Sequence, residues 1–202
     1  MIKFNVEQGS NAWFDLKCGR ITGTRFKSLM MGESTDGYKG LISDIVGELI
    51  TGEIEESYTN DIMQRGIDLE PEAREHYELS HMIDVEQVGF IIPDENTEFH
   101  EWIGISPDGL ILPGMTEFKC PLRKTHLNYL KAGVFPNEYK WQVQGQLFVT
   151  ILEFCDFMSY YQNMKPFIIR VFPDLKMHEQ ITERLRSTIK LIKLELENYN
   201  KL

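Results

Sequence analysis

Ser106-Pro107-Asp108-Gly109-Leu110-Ile111-Leu112-Pro113-Gly114-Met115-Thr116-Glu117-Phe118-Lys119-Cys120 is the stretch on which the reading of this chain turns. Pro107-Asp108-Gly109 and Pro113-Gly114 are turn signals, and the runs beside them read as short strands over 108–112 and 115–120. Successive side chains of a strand point to opposite faces, so Glu117 and Lys119 share one face and Phe118 enters the core on the other. Asp108 lies at a bend, and a hairpin between the two strands would carry it beside Glu117. Two carboxylates on one rigid sheet edge suit a hard divalent cation such as Mg2+, which takes oxygen ligands and keeps several waters. The main-chain carbonyl of Phe118 offers another oxygen. Lys119 beside them is placed to orient an attacking water and to offset charge on a phosphorane-like transition state. The chemistry expected of the cluster is metal-assisted phosphodiester hydrolysis.

Working outward, a strand is expected over 102–106 and another over 84–92, ending at Pro93. Upstream, residues 10–31 read as two short helices, with Ser10 or Asn11 capping the first and Thr22 the second. Gly40 to Thr51 carries a helical apolar pattern stopped by Gly52. A longer helix from about Asn60 to Leu79 has an inner stripe of Ile62, Gly66, Leu69, Ala73 and Tyr77. Glu70 sits beside that stripe, and an inward carboxylate needs a partner because an unpaired buried charge is costly.

Downstream, helices are expected over 123–132 and 137–150, strands over 153–161 and 166–172, and a last helix over 176–199. Three glutamines alternate in Tyr139-Lys140-Trp141-Gln142-Val143-Gln144-Gly145-Gln146. Gln142 and Gln146 share a helix face, with Gln144 about 160° away. Packed glutamines need hydrogen-bond partners, which a metal-bound water or a phosphate would supply. The order of elements is that of an α/β domain with a central mixed β-sheet flanked by helices. A single domain over 1–202 is expected, with N-terminal helices over 10–80 and the catalytic sheet and its helices over 83–202.

Composition narrows the function. The chain has 202 residues, 42% of them hydrophobic, and its 12 Phe, 8 Tyr and 3 Trp can fill a core. No apolar run approaches the roughly 20 residues of a membrane span, and the start lacks a signal-peptide stretch, so a cytosolic location is expected. Three scattered cysteines exclude a disulfide framework, and no Cys-x-x-Cys pair offers a zinc site. The net charge of −10 argues against a polyanionic partner, but its distribution does not. Residues 33–101 hold nineteen acids and three bases, whereas 17–31 hold four bases and no acid, and 119–140 five bases and one acid. Local field rather than total charge steers a polyanion. Trp13, Trp102 and Trp141 are expected in the core, and His126 at the surface. Met30-Met31 is a candidate for a wedge between strands.

Five motifs occur in order: Trp13 to Thr24 (Trp13-x2-Leu16-Lys17-x-Gly19-Arg20-Ile21-Thr22-Gly23-Thr24), Leu69-Glu70-Pro71-Glu72-Ala73-Arg74, Ser106-Pro107-Asp108-Gly109-Leu110, Glu117-Phe118-Lys119-Cys120-Pro121 and Gln142-Val143-Gln144. Together they resemble the lambda exonuclease family, or YqaJ-type viral recombinases, within the PD-(D/E)XK nuclease group with its restriction-endonuclease-like core. The resemblance implies a Mg2+-dependent enzyme (Mn2+ substituting) that degrades one strand of linear duplex DNA from its 5′ end and leaves a 3′ single strand for recombination. It implies a ring-shaped homotrimer and a single-strand annealing protein as partner, in the cytoplasm of a bacterial host if the source is a phage or prophage. By the same resemblance, Asp108 and Glu117 ligate the metal, Lys119 is the catalytic lysine, Glu70 completes the site and Gln144 supports it. Lys17, Thr24 and Ser106 would lie near the 5′-phosphate, with Arg20 sharing or taking over the role of Lys17, and Gln142 nearby. The alternatives on the same residues are an endonuclease and a non-catalytic DNA-binding module, separated from the exonuclease by whether closed circular DNA is cut.

Overall fold

The computed structural model describes residues 1–55 and 61–201. In chain order the elements are β1 (Ile2–Phe4), α1 (Asn11–Lys17), α2 (Arg25–Leu29), α3 (Asp36–Thr51), α4 (Asp61–His81), β2 (Phe90–Ile92), β3 (Gly109–Ile111), β4 (Gly114–Lys119), α5 (Arg123–Ala132), a 3-10 turn (Asn137–Tyr139), α6 (Lys140–Thr150), β5 (Phe154–Ser159), β6 (Phe167–Val171) and α7 (Leu175–Tyr199). β3, β4, β5 and β6 form a sheet in that order, antiparallel, parallel and antiparallel in turn. The expected α/β domain with a central mixed sheet between helices is what the structure shows. A parallel pair needs a crossover, and α5 and α6 provide it between β4 and β5.

Several boundaries differ from the sequence reading, each for a local reason. Ser10 does cap α1, accepting from the Trp13 N–H, but α2 follows Thr24 rather than Thr22. α3 begins four residues before Gly40 because the Thr35 hydroxyl accepts from the Tyr38 N–H. The start of the long helix at Asn60 lies outside the described residues; α4 is described from Asp61 and continues through Pro71. The strand expected over 84–92 shortens to β2, paired with β1, and 102–106 makes only isolated bridges at Ile103 and Ile105. At Gly104 a Cβ would lie 2.4 Å from the Phe90 ring, so the chain passes there too close for a side chain.

The sheet divides two apolar layers. On one face, Met115 and Cys155 pack with Phe26, Leu29, Ile45, Val143, Leu147, Ile181, Leu185 and Ile192, contributed by α2, α3, α6 and α7. On the other, Phe118 and Met158 meet Ala73 and Tyr77 of α4. Trp102 and Trp141 pack against the first layer, and Met30 packs against it while half-buried. His126 is buried, not at the surface, because its ring bridges the Ser159 hydroxyl and the Lys165 carbonyl. No helix among the described residues is long and apolar enough to cross a membrane.

Candidate active site

The β3–β4 hairpin sets the first contact. Its register pairs Gly109 with Thr116, which brings Asp108 opposite Glu117. The Phe118 N–H donates to Asp108 Oδ2 at 2.5 Å, so the carboxylate that opens β3 is tied to the middle of β4. Phe118 turns into the α4 layer and holds Glu117 and Lys119 on the opposite face.

Glu117 is 1% exposed, and each of its oxygens is held. Gln142 Nε2 donates to Oε1, Gln146 Nε2 donates to Oε2 at 2.7 Å, and the Lys119 ammonium pairs with Oε1. Both amides come from α6, one turn apart. A buried carboxylate is tolerable only with such partners.

Glu70 approaches from α4 and lines one groove with Asp108, a cavity of about 510 Å3 that also takes in Gln8 and Arg74. Arg74, one turn on, donates to Glu70 Oε1 at 3.0 Å. Burial raises the Glu70 carboxyl above its ordinary value, with Glu117 adding to the rise and Arg74 and Lys119 opposing it. For Asp108 burial again leads, and the negative charges of Glu117 and Glu70 add to it, so its carboxyl is pushed well above the usual range. Burial alone would lower the Lys119 ammonium, but Glu117 and Asp108 outweigh it and keep the lysine charged.

With Asp108, Glu117 and Glu70 all ionised, the cluster would hold more negative charge than Lys119 offsets, and that repulsion is part of what raises Asp108 and Glu70. Among the described residues no three His, Cys, Asp or Glu side chains are arranged to hold a metal ion by themselves, so a cation here would lean on the Phe118 carbonyl and on water as well as on Asp108 and Glu117. An open set of carboxylate oxygens with surplus negative charge fits a hard cation that keeps much of its own water, and fits it better than it fits zinc.

Gln144 lies elsewhere. Its Nε2 donates to the Phe172 carbonyl at 2.9 Å and its Oε1 accepts from the Asp174 N–H at 2.8 Å, both at the corner between β6 and α7. The glutamines that meet Glu117 are Gln142 and Gln146, on the other side of α6. Gln142 thus joins the carboxylates rather than a phosphate pocket, and Gln146 was not singled out as a site residue from the sequence. The shared face of 142 and 146 was the available signal.

The second group of expected residues divides. Lys17 and Thr24 line one cavity of about 690 Å3 together with Arg25 and Glu48. The Lys17 ammonium sits 3.7 Å from the centre of the Trp13 ring. Burial, with the neighbouring Arg25 charge, lowers its pKa to about 8 despite the attraction of Glu48. Trp13 Nε1 in turn donates to the Ser106 hydroxyl at 2.7 Å, and that hydroxyl donates to the Gly89 carbonyl at 2.8 Å. Arg20 points away, donating to the Leu16 carbonyl at 2.8 Å.

Arg25, like Gln146, lies beside the expected site residues without having been expected there. Its guanidinium forks onto both oxygens of Glu48, and Glu48 Oε2 also accepts from the Gly19 N–H at 2.9 Å. The two regions touch at Gly23, where a Cβ would come within 3.7 Å of Gln146 Nε2.

Residues 12–153 match the YqaJ-like viral recombinase domain, and the chain belongs to that family. None of the curated proteins compared matches it. Among solved structures it is similar to an alkaline exonuclease, LHK-Exo, from Laribacter hongkongensis. The two are 29% identical, over 95% of this chain and 97% of that one, with a TM-score of 0.85. The same enzyme in complex with dAMP aligns equally well. A phage-related exonuclease from Haemophilus somnus 129PT shares the fold, at 15% identity over 89% of this chain and 96% of that one, with a TM-score of 0.64.

Proposed function

We propose that this protein is a metal-dependent deoxyribonuclease of the PD-(D/E)XK group that degrades one strand of linear duplex DNA from its 5′ end. The observation that carries the reading is the convergence of Asp108, Glu117 and Lys119 on one sheet face, with Glu70 closing the groove from α4. The 29% identity to an alkaline exonuclease over nearly the whole chain supports it.

Asp108, Glu117 and the Phe118 carbonyl are the groups that would hold Mg2+ or Mn2+, with Glu70 beside them. When bound, such an ion polarises the scissile phosphate and makes water a stronger nucleophile. The chain's own part is then specific. Lys119 stays charged beside Glu117 and sets a fixed positive charge where negative charge grows on the phosphate. Glu117 cannot swing, because Gln142 and Gln146 grip it. Glu70, its carboxyl raised, is suited to hold or orient a water proton at the groove. Lys17 and Thr24, with Arg25 behind them, form the pocket we assign to the 5′-phosphate. Ser106 reaches that pocket only through Trp13, and its one proton is committed to Gly89.

We further propose a homotrimer around the duplex and a single-strand annealing protein as partner, readings supported by membership of the family. An acidic exterior around a basic channel fits both the overall charge of −10 and the local basic blocks.

The test is digestion of linear duplex, closed circular duplex and single-stranded DNA with Mg2+, each linear strand labelled at one end. Early release of 5′-labelled mononucleotide from linear duplex, with the 3′ label left on long strands, is the expected result. Cutting of the closed circle would replace the exonuclease with an endonuclease, and no cutting with either metal would leave a DNA-binding module.

A further inference from the structure

Gln146 has a role that the nuclease reading does not by itself assign. The residue is 1% exposed and lies in the middle of α6. Its amide nitrogen faces Glu117 Oε2, an acceptor that fixes which way the amide must point. The amide oxygen is thereby aimed away, and it is buried with no partner among the described residues. Buried polar atoms without partners are rare in folded proteins, so this one marks a constraint at the other end of the same amide. The backbone beneath it is also secured: the Thr150 hydroxyl donates to the Gln146 carbonyl at 2.8 Å, and Gly23 lies against the side-chain nitrogen.

The effect falls on Glu117. With Gln142 and Lys119 on Oε1 and Gln146 on Oε2, the carboxylate is pinned at both ends. A carboxylate so held cannot rotate to chelate a cation with both oxygens. That restriction separates cations by size. Mg2+ demands near-octahedral geometry and takes one oxygen from each carboxylate, whereas Ca2+ favours six to eight ligands and commonly a two-oxygen carboxylate.

We infer that Gln146 is a positioning residue that confines Glu117 to single-oxygen ligation and so gives the site its preference for a small octahedral cation over a larger one. This rests on the metal-dependent nuclease reading. Groups that orient metal ligands typically change metal affinity about 10- to 100-fold when removed.

The experiment reads metal binding without DNA. Mn2+ bound to the protein is followed by the loss of free-ion EPR signal, and Mg2+ and Ca2+ are titrated as competitors against wild type, Gln146→Met and Gln146→Asn. Methionine keeps the volume and removes the donor, and asparagine keeps the amide but falls one methylene short. Thermal melting and circular dichroism show which variants are folded, and a folded Gln146→Asn is read if Gln146→Met does not fold. The expected result is that the ratio of competing concentrations moves toward Ca2+ by about tenfold in the folded variants. Wild-type ratios in both folded variants would overturn the inference and leave the nuclease reading intact. Failure of folded wild type to bind Mn2+ at all would overturn the metal-site reading, and the role of Gln146 with it.

Discussion

Replacing Glu48 by leucine tests the most deeply buried ion pair among the described residues away from Asp108, Glu117 and Glu70. Glu48 is 4% exposed, and the Arg25 side chain opposite it is 21% exposed. The substitution strands two groups. The guanidinium loses both bonds to the carboxylate and keeps only the Arg20 carbonyl at 2.9 Å, while the buried Gly19 N–H loses its acceptor. Removing one partner of a buried pair costs about 3–5 kcal/mol. An orphaned buried N–H adds about 1–3 kcal/mol. Two effects work the other way: Arg25 borders a cavity that water can enter, and leucine gains by burial. The net expectation is a loss of about 3 kcal/mol, which for a chain of this length is a fall in Tm of about 6–12 °C. The double variant Arg25→Met with Glu48→Leu removes the stranded charge, and buried pairs replaced by apolar residues are often neutral. Only the Gly19 N–H is then left unpaired, so the double variant should regain more than half of the loss. Scanning calorimetry with urea titration measures both. A single variant melting within 2 °C of wild type by the roughly 2–4 °C per kcal/mol scale, or a double variant no more stable than the single, would refute the account of this pair as mutually dependent.

Lys119→Ala should lower DNA cleavage by at least about 100-fold, as expected of a charge that acts on the transition state. It should also lower the Tm, because the buried Glu117 carboxylate loses its counter-ion, and leave Mn2+ binding no weaker than in wild type. Asp108→Asn should do the opposite to stability and binding. It relieves the repulsion that pushes the carboxyl up, so the metal-free protein should melt higher and bind Mn2+ more weakly. Because the folded-state carboxyl is raised, its destabilising charge appears as pH climbs through that raised value, so the gap in Tm between variant and wild type should widen from acid toward alkaline pH. For Lys17, with its pKa near 8, the cation is present at pH 7 and largely lost by pH 9. Initial rates on 5′-phosphorylated and 5′-hydroxyl duplexes should therefore converge over that range in wild type, and be equally close at all pH values in Lys17→Ala. Gly145→Ala places a Cβ 2.3 Å from the Phe26 ring. The overpacking cost of about 1–3 kcal/mol outweighs the gain in helix propensity of about 1 kcal/mol, so denaturant titration should show a less stable protein.

The sheet and its helices were legible because their signals are local. Proline and glycine turns delimit β3 and β4, and alternation sends Phe118 one way and its neighbours the other. The same alternation brings Glu117 and Lys119 together without knowledge of any distant residue. α6 was a different case. It is buried from Gln142 through Leu147, so its apolar pattern does not say which side looks at the sheet, and only the fold distinguishes Gln144 from Gln142 and Gln146. Glu48 carried a faint signal, since it continues the spacing of Tyr38, Leu41 and Ile45 on the buried side of α3, but its partner is 23 residues away. His126 was opaque for a similar reason: it follows the basic pair Arg123-Lys124, while its two partners are Ser159 and Lys165, distant in sequence.

The position of Gln144 makes the surface a poor guide to where this chain tolerates change. Phe172 is largely exposed, and the corner it begins looks like a place to lengthen the chain or attach a probe. Yet two backbone groups of that corner hang on one amide of α6, whose opposite side grips Glu117. An insertion at residues 172–174 would pull on the far side of the helix that steadies the carboxylate, and the damage would surface as lost chemistry in a protein that still folds.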